Sequence, residues 1–247
     1  MVQDIYHLIK LDRENTTFKA CVVIGYAALD SLNDLINILT PTEILEYKKL
    51  QVSKRRLEYC LGRYVGKKSV AKLTGYKELR NFTITKGVFN QPILYSENNN
   101  LKSTQLSISH VNNIAVAISF PEEHPMAVDI EEISGKNRSI LISQMLVHEH
   151  KLLDLISCRN LVGLTLMWTV KEALAKVLKT GLTAPLSIYS ISQIEKVDGG
   201  YMSEFTNFSQ YKVFSCILGE YIISICLPRK TIMHINLSNV PSLLLNI

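Results

Sequence analysis

The sequence predicts an α+β fold of two related subdomains, each an antiparallel sheet packed with a long helix. Three observations predict it. Apolar, β-branched stretches of strand length lie before and after two long helical patterns, one over residues 42–73 and one ending near residue 179. Glycine and asparagine turns separate strand stretches within each half, as antiparallel hairpins require. The connector Pro121-Glu122-Glu123-His124-Pro125 then divides the chain into an N-terminal subdomain, 1–121, and a C-terminal one, 122–247. The relation between the halves is one of element order, with no repeat visible residue by residue.

In chain order, residues 18–29 (FKACVVIGYAAL) read as a buried strand, followed by a short helix from Asp30. Thr40 and Pro41 mark a helix start, threonine as cap and proline in the first turn. The helical pattern runs over 42–73, with breaks allowed, until Gly75 stops it. Residues 81–85 are a short strand, 87–92 a turn-rich loop, and 96–103, with three successive asparagines, an exposed loop. A hairpin follows, 105–109 and 114–120 about a turn at Val111-Asn112-Asn113. After the connector come an acidic strand over 127–133, a helix over 135–146 and further helical pattern to Lys179. Gly181 is the expected stop, and Pro185 forbids continuation. Residues 188–197, 201–205, 211–218 and 221–227 complete the strands.

Composition narrows the class. At 47% hydrophobic and 20% charged, the chain of 247 residues is an ordinary globular sequence rather than a disordered one. The five cysteines are odd in number, show no CxxC spacing and mostly lie among apolar neighbours, which predicts core thiols in a reducing compartment and no zinc site. The N-terminus is broken up by Asp4, His7, Lys10, Asp12 and Arg13, unlike a signal peptide. The apolar segments 213–228 and 231–247 are interrupted, so no membrane span is expected, and the expected location is cytoplasmic. The net charge of +5 is uneven. Between Tyr47 and Lys86 stand twelve lysines and arginines against Glu58 and Glu78, a solvated helix face or a collector of phosphates or an acidic partner. No nucleic-acid signature accompanies them, so nucleic acid is not expected as a partner.

The chemistry-bearing residues fall in two stretches. On a strand through 127–133, alternation puts Asp129 and Glu131 on one face and Val128 and Ile130 on the other, with Glu132 turned away from Glu131. On a helix, Trp168, Glu172 and Lys176 are four apart and share a face, while Leu166, Val170, Leu174 and Val177 form a core stripe. If the two meet, three hard oxygen donors converge beside an ammonium. That set suits magnesium and a phosphorylated substrate better than zinc. Arg56 and Arg63 lie two helical turns apart and could clamp a phosphate, although periodicity alone favours two solvent-facing arginines. His148-Glu149-His150 lacks the HExxH spacing and reads as surface. His110 by itself reads as an ordinary structural histidine.

These residues together resemble the phosphopantetheinyl transferases of the Sfp type, in particular the branch serving siderophore and other secondary-metabolite synthetases. The resemblance rests on four motifs in order over residues 55–176. They are Arg-Arg-x-Glu-x-x-x-Gly-Arg at 55–63, the Ser-His pair Ser109-His110, the strand Ala127-Val128-Asp129-Ile130-Glu131, and Trp-x-x-Lys-Glu-Ala-x-x-Lys at 168–176. Two departures stand out: Ala127 replaces the family's usual glycine, and Asn90-Gln91-Pro92 replaces its Gly-Lys-Pro turn. The second puts Gln91 where a lysine would contact phosphate, lowering affinity for the coenzyme unless Lys86 compensates.

What the resemblance implies is transfer of the phosphopantetheine arm of coenzyme A to a serine of an acidic acyl or peptidyl carrier protein, with release of adenosine 3′,5′-bisphosphate. Asp129, Glu131 and Glu172 would hold Mg2+. Lys171 or Lys176 would balance charge on the leaving phosphate. Arg55, Arg56 and Arg63 would hold the 3′-phosphate, with Ser109 and His110 on the nucleotide phosphates. Glu172, Glu131 or a metal-bound water would accept the serine proton. Asp129 and Glu131 would lie near a cleft between the halves, so a monomer would hold one complete site. Two other readings fit parts of the pattern: a non-catalytic phosphate- or carrier-binding module, and a magnesium phosphohydrolase.

Overall fold

The computed structural model of the protein describes residues 2–97, 101–135, 138–156 and 160–235. The chain forms two compact units, Met1–Pro125 joined by the chain from Thr231, and Met126–Lys230. The division falls between Pro125 and Met126. The return of the chain from Thr231 to the first unit was not expected from the sequence. It follows from pairing: β12 (Ile232–His234) adds to the free edge of β1 (Gln3–Arg13), in the register Lys10↔His234.

In the first unit β1 and β2 (Thr16–Tyr26) form a long hairpin that opens the fold. The charges that break up the N-terminus do not interrupt β1, because odd positions such as Ile9 and Leu11 are buried while Tyr6, Leu8 and Lys10 face out. A short helix α1 (Leu32–Ile36) leads to α2 (Pro41–Lys49), which starts at the predicted cap. Thr40 Oγ1 accepts from the Glu43 backbone N–H, and the Glu43 carboxylate accepts from that of Thr40. The long helical pattern breaks at Leu50, which is extended, and resumes as α3 (Ser53–Thr74). Gly75 ends it in the left-handed conformation, at φ 76°. The small hairpin β3 (Thr83–Lys86) and β4 (Pro92–Tyr95) follows, then β5 (Thr104–Val111) and β6 (Ile114–Pro121), whose turn holds Asn112 at φ 52°. The sheet order is β12-β1-β2-β6-β5, all antiparallel, with α3 laid on β2, β6 and β5. The approach is close: a Cβ on Gly66 would stand 2.9 Å from Ile84 and 3.0 Å from Ile108.

The second unit begins with β7 (Ala127–Glu132), continues through α4 (Arg138–Ser143), α5 (Val147–Leu155) and α6 (Leu161–Val177), and closes with β8 (Ile191–Val197), β9 (Gly200–Phe205), β10 (Tyr211–Leu218) and β11 (Tyr221–Pro228). The predicted strand over 188–197 starts at Ile191, because residues 186–189 form a 3-10 turn after Pro185. The sheet order is β7-β11-β10-β9-β8, and α6 covers β7, β11 and β10 with its Leu166, Val170 and Leu174 stripe in the core. Among the described residues no helix is long and apolar enough to cross a membrane. Cys21, Cys60, Cys216 and Cys226 are buried and outside any disulfide, while Cys158 lies outside the described residues.

One element order builds both units. A strand precedes the long helix, two strands follow, and a hairpin returns its last strand to pair with the first: β2-α3-β3-β4-β5-β6 matches β7-α6-β8-β9-β10-β11. With the helices superposed on this order, the repeat becomes visible in residues too. Residues 65–72 and 169–176 share Lys67 with Lys171, Ala71 with Ala175 and Lys72 with Lys176.

Candidate active site

β7 is paired along its length with β11, Asp129 opposite Ser224 and Glu131 opposite Ile222, and the helix on its face is α6. The 3.6-residue turn of α6 lines Trp168, Glu172 and Lys176 along β7. Lys176 Nζ lies 2.7 Å from Asp129 Oδ1, and Trp168 Nε1 donates to Glu131 Oε1 at 3.1 Å. Asp129 is buried. Strand and helix therefore meet on the faces expected of them.

The electrostatics of the group are those of acids with too little positive charge. Glu131 is pushed up from 4.5 to about 7, first by burial and then by the Asp129 carboxylate, against the opposing pull of Trp168 and Lys176. Glu172 is pushed up to about 7 by burial, then by Asp129, with Lys176 opposing and Glu131 adding. As the side chains stand, Lys176 takes Asp129 and Trp168 takes Glu131. Among the described residues no three His, Cys, Asp or Glu side chains are gathered closely enough to hold an ion. The donor set nonetheless suits a hard divalent cation: three carboxylates against one ammonium, two of them pushed up to about 7, first by burial and then by Asp129.

Lys171 is not part of this group. It is 2% exposed, its ammonium sits 2.7 Å from Glu149 Oε2, and it donates to the Gln144 carbonyl at 3.3 Å. One residue on a helix is a turn of about 100°, so Lys171 points into the interior while Glu172 faces β7. This corrects the expectation that Lys171 serves the leaving phosphate. The surface reading of His148-Glu149-His150 holds for the two histidines, which are exposed, and is corrected at Glu149, which is wholly buried.

Two arginines, a lysine and a histidine of the first unit meet at a pocket of about 310 Å³ between α3, the β3–β4 hairpin and β5. Arg55, Arg63, Lys86 and His110 line it, with Glu58 and Tyr59 on the wall. Arg63 lies over the Tyr59 ring at 4.2 Å and donates to the Ile84 carbonyl at 3.3 Å. Its Nε has no hydrogen-bond partner among the described residues. Arg55 is paired with the buried Glu58 at 3.1 Å. Four basic groups against one carboxylate make the pocket attractive to anions.

Three of the residues expected here are placed elsewhere. Arg56 shares the helix face with Arg63 but donates Nε to the Leu50 carbonyl at 2.8 Å and lies over the Tyr47 ring, tying α3 to the end of α2. Ser109 is buried on the opposite face of β5 from Ile108 and His110, because neighbours on a strand alternate. Gln91 folds back over its own turn. Its Oε1 accepts from the Phe89 N–H at 2.9 Å, and its amide lies where a Cβ on Gly87 would be. Lys86, not Gln91, presents a cation to the pocket.

A family model described as the 4'-phosphopantetheinyl transferase superfamily matches residues 125–226, nearly the whole of the second unit with β7 and α6 inside it. Residues 125–226 are thus similar in sequence to that superfamily. Solved structures that resemble the chain include a holo-(acyl-carrier-protein) synthase from Bacillus anthracis in complex with CoA (3',5'-ADP), 22% identical over 47% of this chain and 96% of that one, TM-score 0.34. Others are the holo-[acyl-carrier-protein] synthase of Neisseria meningitidis (19%, 47% and 98%, TM-score 0.33) and that of Plasmodium yoelii (18%, 47% and 96%, TM-score 0.33). No match was found among the curated proteins.

Proposed function

We propose that the protein transfers the 4'-phosphopantetheine arm of coenzyme A to a serine hydroxyl of an apo acyl or peptidyl carrier protein, with Mg2+ held by Asp129, Glu131 and Glu172. The observation that carries this is the meeting of β7 and α6 within the family segment, where three carboxylates and Lys176 share one face. The basic helix with Arg55 and Arg63 supports the Sfp-type branch, in which the anion pocket takes the 3'-phosphorylated end of coenzyme A. The reaction belongs in a reducing, cytoplasmic setting, in keeping with the buried thiols.

When bound, Mg2+ neutralises the pyrophosphate and polarises the phosphorus to be attacked. The residues of the chain do the rest. Lys176, a partly exposed ammonium 2.7 Å from Asp129, would be the cation nearest to hand for the departing phosphate. The serine must lose its proton as its oxygen bonds to phosphorus, and a carboxylate of the group is the acceptor. Glu131 is engaged by Trp168, whereas Glu172 makes no hydrogen bond among the described residues, so Glu172 is assigned as the acceptor.

The test is a panel of apo carrier domains from fatty-acid, polyketide and peptide systems, incubated with coenzyme A and Mg2+ and weighed by mass spectrometry. A carrier should gain one phosphopantetheine, with adenosine bisphosphate released only when carrier is present. No gain on any carrier overturns the reading. Coenzyme A binding without turnover points to a binding module, and bisphosphate release without carrier to a phosphohydrolase.

A further inference from the structure

Glu149 lies outside the carboxylate group, yet it is the most constrained acid of the second unit. It is wholly buried, and both oxygens are used. Oε2 takes the Lys171 ammonium at 2.7 Å and accepts from the Leu146 N–H at 2.8 Å; Oε1 accepts from the Ile191 N–H at 3.0 Å. One carboxylate thus fastens three segments, the start of α5, the start of β8 and the middle of α6. Lys171 is the neighbour of Glu172 on α6. Fixing where Lys171 enters the interior fixes the roll and height of the helix, and hence where Glu172 stands against Asp129 and Glu131.

The first unit contains the same clamp without the acids. Glu43, also buried, takes Lys67 Nζ at 2.7 Å on Oε2, accepts there from the Thr40 N–H at 2.8 Å, and accepts from the Ile84 N–H on Oε1 at 2.9 Å. Residue for residue, α2 replaces α5, β3 replaces β8 and α3 replaces α6. The position after the clamped lysine is Lys68 where α6 has Glu172. The fold therefore uses this clamp to dock a helix in both units, and in only one of them is a carboxylate indexed by it.

We propose that Glu149 is a positioning residue for the carboxylate group, acting through Lys171 to hold Glu172 in register with Asp129 and Glu131. The inference rests on the proposed function, since it presupposes that the group binds a divalent cation. Loss of Glu149 would then weaken cation binding by shifting a ligand, beyond whatever it does to stability. Outer-shell partners bonded to a metal ligand typically contribute about 10-fold to 100-fold in affinity; Glu149 acts one step further out, through Lys171, so the lower end of that range is expected here.

The twin clamp supplies the control. Glu149→Gln and Glu43→Gln remove the same charge from matching clamps, but Lys67 keeps the Ile38, Leu79 and Phe82 carbonyls where Lys171 keeps that of Gln144, so both should lower the melting temperature, Glu43→Gln the less. Mn2+ is the probe, titrated into the full-length protein and followed by electron paramagnetic resonance, with the Mg2+ dependence of transfer measured alongside. Glu149→Gln should weaken Mn2+ binding by about 10-fold and raise the Mg2+ concentration for half-maximal rate, with a smaller effect on the rate at saturating Mg2+. Glu43→Gln should leave Mn2+ affinity within about 2-fold.

A variant that fails to fold is replaced by Glu149→Gln with Lys171→Met, which removes the stranded ammonium while keeping the volume. It should be folded and still bind Mn2+ weakly. Mn2+ affinity equal to that of the unaltered protein in either Glu149 variant, or an equal loss in Glu43→Gln, overturns the proposal and leaves the proposed function standing. No Mn2+ binding by the unaltered protein removes the metal centre itself, and the positioning role with it.

Discussion

In the first unit the strand leading into the long helix presents Val23 and Gly25 to α3; at the equivalent places in the second, β7 presents Asp129 and Glu131 to α6. The equivalence follows from the hairpins, since Ile114↔Tyr26 and Tyr221↔Glu132 are the pairs next to the matching turns. The consequence is visible in the packing. A Cβ on Gly25 would stand 2.7 Å from Val65, so strand and helix close tightly on apolar atoms. β7 and α6 instead bury carboxylates, which burial and mutual repulsion hold up near 7. The buried clamp is common to both units, so it belongs to the scaffold. The acidic positions differ, and they are the ones the proposed chemistry uses. A group that strains against its surroundings in one copy, where the other copy packs comfortably, marks the place where function has displaced stability.

The difference is broken most directly at Asp129. Asp129→Ala removes a proposed ligand and the partner of Lys176, which is exposed enough for its ammonium to be hydrated instead. Transfer to the apo carrier should fall by about 100-fold or more, at or beyond the range for outer partners of a metal site, with the protein still folded. Mass spectrometry of the carrier and a thermal melt check the two halves of that statement. Retained transfer takes Asp129 out of the site.

A smaller effect separates two arginines of the first unit. Arg63 lines the anion pocket with an unsatisfied Nε, while Arg56 spends its guanidinium on the Leu50 carbonyl and the Tyr47 ring. Arg63→Ala should raise the KM for coenzyme A by about 10-fold, the worth of one charge-assisted hydrogen bond. Arg56→Ala should change it by no more than about 2-fold and lower stability instead. Steady-state kinetics over coenzyme A concentration distinguish them; equal effects would show that the helix face acts as a whole.

Much of this was legible in the sequence, and the misses have physical causes. The α6 stripe and the strand alternation of 127–133 are short-range periodicities, so the faces of Asp129, Glu131, Trp168, Glu172 and Lys176 could be read directly. The Thr40-Pro41 start and the Gly75 stop were legible for the same reason. Lys171, Ser109 and Arg56 were assigned by motif membership. Position on an element decided otherwise, one helix step for Lys171, one strand step for Ser109 and a local acceptor for Arg56. Glu149 was hidden because its partners lie at 171 and 191, far along the chain. A signal did exist: Glu43 and Glu149 each stand third in a helix, and each precedes a helix with the Lys-x-x-x-Ala-Lys pattern of 67–72 and 171–176. The strand β1 was missed because Asp4, His7, Lys10, Asp12 and Arg13 fall on both of its faces and mask the alternation of buried Ile9 and Leu11 with exposed Leu8 and Lys10.

The mildest test concerns the melting temperature of the metal-free protein against pH. Glu131 and Glu172 titrate near 4.5 in the unfolded chain and near 7 in the folded one. Between those values the folded protein keeps protons the unfolded chain has lost, so these two groups favour folding at low pH and lose that advantage as pH rises through about 7. The contribution is isolated by comparison with a Glu131→Gln, Glu172→Gln variant, because the remaining titrating groups are common to both proteins. The melting temperature of the unaltered protein, less that of the variant, should fall from pH 5 to pH 8. Mg2+ binds the deprotonated carboxylates, so its stabilising effect should grow over the same range and be absent from the variant. A difference that stays flat with pH would mean that the second unit buries its acids as comfortably as the first buries Val23.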